Sequence, residues 1–161
     1  MTFIFQPVSE EEVRLFLTWA YEPPYDIYNM GILDEFDEMG YFLDPANRFH
    51  SITSEDGDLL AFCSFGRDAQ VPGGNYRFEA LDIGLGIRPD LTGQGQGINY
   101  ANAVVDFARR TFAPPAYRVT IAGWNKRARR VWEKAGFEWV EAFDHQRSNM
   151  TFDILVKVET S

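Results

Sequence analysis

The stretch Leu85-Gly86-Ile87-Arg88-Pro89-Asp90-Leu91-Thr92-Gly93-Gln94-Gly95-Gln96-Gly97 constrains the fold of this chain more than any other. An extended run feeds a glycine-rich turn. The turn opens into a segment whose apolar residues Ile98, Ala101, Val104, Val105, Ala108 and Phe112 recur at helical spacing. Glycines remove Cβ atoms where the chain turns tightly, so successive backbone N–H groups converge on one anion at the start of a helix. Phosphate oxygens are the natural guest, and each such helix-end interaction is worth roughly 0.3–1 kcal/mol when exposed. A P-loop is excluded because no Gly-Lys-Ser/Thr follows. The dinucleotide fingerprint is also excluded. It needs G-x-G-x-x-G after an early strand, whereas Gly93, Gly95 and Gly97 are spaced G-x-G-x-G late in the chain. Taken alone, the turn also reads as a flexible loop before a helix.

The rest of the chain supplies a sheet for that turn. Thr2 to Pro7 reads as a short edge strand closed by proline. Ser9 with Glu12 makes a capping box, and Val13, Phe16, Leu17 and Ala20 form a helical stripe that stops at Glu22-Pro23-Pro24. Ile32 to Phe42 predicts a short helix bearing Asp34, Glu35, Asp37 and Glu38. Arg48 to Thr53 and Leu59 to Phe65 predict an antiparallel hairpin turning at Ser54–Asp58. Gln70 to Asn75 is a loop, and Tyr76 to Ile87 a long strand whose Gly84 and Gly86 mark a bulge or a close approach by a ligand. Pro114-Pro115 stop the central helix. Tyr117 to Ala122 is a strand, Asn125 to Ala135 a basic helix ended by Gly136, and Phe137–Phe143 with Met150–Val158 close the sheet. The expected fold is α/β: a mixed, mostly antiparallel sheet of about seven strands flanked by helices. A chain of 161 residues makes this one domain over residues 1–161.

Fifteen Lys and Arg against twenty-four Asp and Glu leave a net charge of −9. That balance disfavours nucleic acid and anionic membrane as partners. The charge is uneven: residues 1–60 hold thirteen acids and two bases, net −11, and the remainder eleven acids and thirteen bases, net +2. The first part invites cations. Cys63 is the sole cysteine and no zinc-ligand spacing occurs, so neither a disulfide nor a metal site is expected. Cys63 lies in an apolar strand and reads as buried and inert, while His50 and His145 read as ordinary structural or surface residues. No basic leader or bilayer-length apolar run is present, and a reducing cytoplasm fits.

Asp82-Ile-Gly-Leu-Gly-Ile-Arg-Pro followed by Thr92-Gly-Gln-Gly-Gln-Gly resembles the acyl-coenzyme A motif of the GNAT N-acetyltransferase superfamily. Asn125-Lys-Arg-Ala-Arg-Arg-Val-Trp-Glu-Lys-Ala-Gly-Phe137 resembles that superfamily's following helix at the expected distance. Together the motifs cover residues 82–137, and the acid-Ile-Gly strand start is most similar to the ribosomal-protein N-terminal acetyltransferase branch. The resemblance implies acetyl-CoA as cosubstrate. Thr92, Gly93, Gln94, Gly95, Gln96 and Gly97 form the pyrophosphate turn, with the amides of Gln94 to Gly97 as donors. The main chain of Leu85 and Ile87 pairs with the pantetheine arm, Asn125 touches the arm, and Arg127 and Arg130 meet the adenosine phosphates. Two positions depart from the family pattern. Thr92 stands where Arg or Gln is usual, and Trp132, on the cofactor side of the second helix, replaces a tyrosine that serves many members as general acid. Indole has a donor and no usable proton to give.

Acyl transfer to an amine needs a neutral amine, a polarised carbonyl and close approach. A lysine-like amine with pKa near 10.4 is neutral in under one part per thousand at pH 7, and an α-amine in roughly a tenth, so the need for a base depends on the acceptor. Asp82 is the leading base candidate and Glu79 the second, acting through water. A solvent-facing carboxylate is the plainer reading of each. The leaving thiol, near pKa 8.5 by the cysteine reference, departs without a strong acid. Trp19, Tyr21, Tyr25, Tyr28 and Asn29 are the acceptor-binding candidates, since aromatic walls beside acids suit a cationic amine. Closure of the core is the competing reading for these aromatics. The expected activity is acetyl transfer from acetyl-CoA to a primary amine by direct attack in a ternary complex. The acceptor is a small-molecule amine or a protein N-terminus, and family resemblance adds a possible homodimer. A non-catalytic acyl-CoA sensor is the alternative.

Overall fold

Local signals set most element boundaries in the computed structural model, which describes residues 2–28 and 35–159. Among the described residues there are seven strands: β1 (Ile4–Pro7), β2 (His50–Thr53), β3 (Leu59–Phe65), β4 (Leu81–Ile87), β5 (Ala116–Ala122), β6 (Glu138–Asp144) and β7 (Thr151–Val158). The helices are α1 (Glu10–Phe16), α2 (Glu35–Leu43), α3 (Gly97–Phe112) and α4 (Lys126–Lys134). The strands form one mixed sheet in the order β1-β2-β3-β4-β5-β7-β6, which puts the proline-ended β1 at an edge. No helix among the described residues is long and apolar enough to cross a membrane. By packing the chain divides into two compact units, residues 1–64 with 85–92 and residues 65–84 with 93–161.

In the first unit the capping box forms as the sequence requires. The Ser9 hydroxyl accepts from the Glu12 N–H, and the Glu12 carboxylate accepts from the Ser9 N–H. Val13 and Phe16 are fully buried with Phe42, Phe49 and Leu59. The helix ends at Phe16, well short of Pro23. The Thr18 and Trp19 amides bond three residues back, to Leu15 and Phe16, and tighten the last turn. That turn brings Trp19 against the rings of Phe16 and Phe62. β2 and β3 pair antiparallel across the Ser54–Asp58 turn, which Gly57 closes at φ +88°. Gly86 is a glycine for a reason internal to the protein: a Cβ there would stand 2.5 Å from the Phe62 ring. Phe62 itself stacks on Phe16.

In the second unit β5 is buried along nearly its whole length, as a central strand must be. It pairs antiparallel with β7 from Ala116 opposite Val158 to Ala122 opposite Phe152, and β7 pairs antiparallel with β6. α3 buries Tyr100, Ala101, Val104, Val105 and Ala108, and Phe65 packs on Phe107 and Phe112. Asn125 caps α4 by accepting from the Ala128 N–H, and Gly136 ends it at φ +100°. The strand expected from Tyr76 begins only at Leu81. Ahead of it, two main-chain groups bond to side chains instead of a neighbouring strand: Asn75 accepts from the Arg77 N–H, and Arg118 donates to the Phe78 carbonyl.

Candidate active site

The glycine turn has the geometry of an anion cradle. Gly93 and Gly95 adopt φ of +71° and +74°, which ordinary side chains resist, and Gln96 follows in the right-handed region before α3 begins at Gly97. Residues 93–96 are exposed, and a Cβ on Gly95 would meet nothing within 4 Å. Gln96 gives the sixteen-residue α3 no side-chain cap; its amide oxygen accepts from the Asn99 side chain instead. The Asn99 N–H donates to the Gln96 carbonyl at 3.0 Å, so the N–H groups of Gly97 and Ile98, at a helix start with no side-chain cap, are the ones suited to an external acceptor. Gly97 lets α3 start close against α4, since a Cβ there would lie 2.9 Å from Val131 Cγ2.

Arg127, on the first turn of α4, reaches the same place: its Nη1 lies 3.1 Å from where a Gly93 Cβ would be. A guanidinium over a positive-φ glycine turn, beside an uncapped helix start, is a donor set suited to a diphosphate. Arg130 lies three residues further along α4 and is exposed. Thr92 bends away from this task, its hydroxyl donating to the Pro89 carbonyl at 2.7 Å.

β4 presents an unusual edge. Its parallel ladder to β5 pairs Leu81 with Tyr117 and Asp82 with Arg118, and goes no further. Leu85 and Ile87, both half-buried, follow beyond that point. The Arg88 N–H donates to the Leu60 carbonyl on β3 at 2.9 Å, so the Ile87 carbonyl, on the opposite side of the same planar peptide, faces the edge that has lost its ladder. The Tyr21 hydroxyl donates to that carbonyl at 2.8 Å. Burial pushes the Tyr21 phenol up to about 12, so it is a stable donor at neutral pH.

Asp82 is not placed to act as a base. Its residue is only 3% exposed, and both carboxylate oxygens are engaged. Arg118 Nε and Nη2 donate to it at 2.6 and 2.8 Å, and Gln70 Nε2 adds a third bond at 2.9 Å. The guanidinium, equally buried, also lies 4.8 Å from the centre of the Tyr76 ring. The acid before Ile-Gly thus holds the one stretch where β4 and β5 pair. Glu79 lies outside the strand, in the exposed segment ahead of β4.

Two other expected cofactor residues are occupied within the protein. Asn125 is buried and its carbonyl oxygen caps α4. Trp132 is 5% exposed and packs edge-on against Phe137 at 5.0 Å, so it is a core residue rather than a cofactor contact. Among the acceptor candidates, Trp19 belongs to the aromatic core and Tyr21 to the β4 edge. Tyr25 is half-buried in a 3-10 turn over Tyr25–Tyr28. The Tyr28 side chain and Asn29 lie outside the described residues. Cys63 is fully buried, and burial pushes its thiol far above the ordinary range. Sequence reading missed Arg118, Gln70 and the Tyr21–Ile87 bond. Each depends on a tertiary contact that leaves no local pattern.

The second unit thus carries a positive-φ glycine turn that opens into a helix without a side-chain cap. The sequence matches the family described as Acetyltransferase (GNAT) domain over residues 1–138. The chain belongs to the GNAT acetyltransferase family, whose members use acetyl-CoA. Its fold is that of a chimera of the spermidine N-acetyltransferase SpeG from Vibrio cholerae with hSSAT, at TM-score 0.76 and 15% identity over 98% of this chain and 96% of that one. A GNAT-family acetyltransferase from Bacillus anthracis gives TM-score 0.76 at 13% identity over 98% and 95%. The Vibrio cholerae spermidine N-acetyltransferase in complex with CoA and spermine gives 0.69 at 15% over 97% and 95%. No curated protein matches the chain in sequence.

Proposed function

We propose that this protein is an N-acetyltransferase that moves an acetyl group from acetyl-CoA to a primary amine of a small cationic molecule, within a ternary complex. The observation that carries the reading is the turn at 93–97, with two positive-φ glycines, an uncapped α3 and the Arg127 guanidinium against Gly93. Those groups would hold the diphosphate of the donor, and the main chain of Leu85 and Ile87 would pair with its arm. Bound there, acetyl-CoA supplies an activated thioester. The protein's own part is to fix the donor, bring a neutral amine to it, exclude water and accept one proton. Glu79, exposed ahead of β4, is the carboxylate left for that proton, through water. The reading takes residues 1–161 as a single acetyltransferase domain, which the family match over residues 1–138 supports. A reducing, cytoplasmic setting suits the single thiol at Cys63.

The small cationic acceptor is supported by the net −11 of residues 1–60 and by the spermidine enzymes among the structural relatives. One observation favours a different acceptor. The Asp82-Ile-Gly start of β4 supports kinship with the ribosomal-protein branch, and with it an α-amino terminus. The buried Trp132, with no proton to give, favours the sensor reading instead. Thiol release from acetyl-CoA, measured against spermidine, an amino acid, an aminoglycoside and a peptide with a free N-terminus, separates all three. Saturable turnover with a small cationic amine is expected. Turnover on the peptide alone would move the acceptor, CoA binding without turnover on any amine would leave a sensor, and no CoA binding would end the reading.

A further inference from the structure

The Tyr21 hydroxyl has a position that neither the core nor the acceptor segment explains. Tyr21 follows α1, yet its Oη reaches across 66 residues of sequence to the last carbonyl of β4. The peptide it meets is held on its other side as well. The Arg88 N–H donates to the Leu60 carbonyl, and the Arg88 guanidinium donates to the Leu59 carbonyl at 3.0 Å and forks onto Asp90. The Ile87–Arg88 peptide is therefore pinned to β3 by its N–H and steered by a phenol at its C=O. A carbonyl oxygen has two lone pairs, and the phenol takes one. The second stays aimed along the edge that carries no ladder beyond Asp82.

We propose that Tyr21 is a positioning residue for the acyl donor: its hydroxyl presets the Ile87 carbonyl so that an amide N–H of the donor arm meets an already oriented acceptor. This rests on the acetyl-CoA reading of the β4 edge. The bonds to β3 hold the peptide from one side only; a second bond at its carbonyl narrows the freedom still to be lost when the ligand binds, and orienting it beforehand lowers that cost. The donor must be an N–H-bearing extended chain, which the amide-containing arm of coenzyme A is. The phenol performs no proton transfer in this role; burial keeps it protonated across the working pH range.

The test uses Tyr21→Phe, which keeps the ring and removes only the oxygen. Calorimetric titration with free coenzyme A reads the effect without turnover. One hydrogen bond's net worth predicts a loss of affinity of about two- to tenfold. In the acetyl-transfer assay the same factor should fall on KM for acetyl-CoA rather than on kcat, a split that a merely structural role would not produce. Unchanged coenzyme A affinity in the folded variant overturns the proposal. Tighter binding overturns it too, because the phenol would then be competing for the carbonyl. If the unmodified protein binds no coenzyme A, it is the donor reading that fails. Tyr21→Ala, which also removes the ring, gives a second check: it must bind at least as weakly as Tyr21→Phe, and binding that recovers on losing the ring refutes the positioning role.

Discussion

Asp82→Asn keeps the shape of the side chain and removes its charge, leaving the Arg118 guanidinium buried beside an amide. Both residues are only 3% exposed, so water cannot take over the lost contacts. Asp82 now accepts three hydrogen bonds, two from Arg118 and one from Gln70. In asparagine one of the two acceptor atoms becomes an NH2 group that faces those donors. Removing one partner of a buried pair costs about 3–5 kcal/mol. At about 2–4 °C per kcal/mol for a chain of this size, Tm should fall by about 6–20 °C. Urea titration at pH 7 should show a lower midpoint with an unchanged slope. The double change Asp82→Leu with Arg118→Met removes both charges and should lose less than either single change. Turnover per folded molecule, measured well below the lowered Tm, should change by the same factor for a lysine-like amine and an α-amine. A variant as stable as the parent, with turnover lost selectively on the high-pKa amine, would refute the structural assignment and restore Asp82 as the base.

Gly95→Glu should abolish coenzyme A binding, because it adds bulk and negative charge where the cradle is open and costs about 1–2 kcal/mol at φ +74°. Gly95→Ala shares the backbone strain without the charge and should lose less; calorimetry showing full affinity in a folded Glu variant would count against the cradle. Burial lowers the His50 pKa, and the Nδ1–H bond to the Arg48 carbonyl offsets this only in part. The unfolded chain therefore binds the extra proton first. The stability His50 contributes is held above the ordinary imidazole value, near pH 6.5, and is lost as pH falls through it. His50→Gln should flatten the decline in stability between about pH 7.5 and 5.5, and an unaltered slope in urea titrations at those two pH values would exclude this source.

Much of the fold was legible because its signals are short-ranged. The Ser9–Glu12 capping box, the Gly57 turn and the Gly97–Phe112 helix bounded by its glycines and prolines each act within a few residues. The cradle was legible for the same reason, since a glycine turn and the helix it starts are adjacent in sequence. The family resemblance singled out Arg127 as a candidate phosphate contact; that its guanidinium lies against Gly93 was not legible.

The sequence by itself determined the order of strands and helices, the glycine-rich turn ahead of α3 and the acidic character of the first sixty residues. Only the tertiary structure decided what the polar side chains around β4 do. Asp82 meets Arg118 36 residues away and becomes a buried clamp, while Tyr21 meets Ile87 66 residues away and leaves the acceptor segment for the strand edge. A carboxylate or a phenol carries the same chemistry in any sequence. Its role is set by which donors and acceptors share its low-dielectric surroundings, and chain folding alone selects those neighbours.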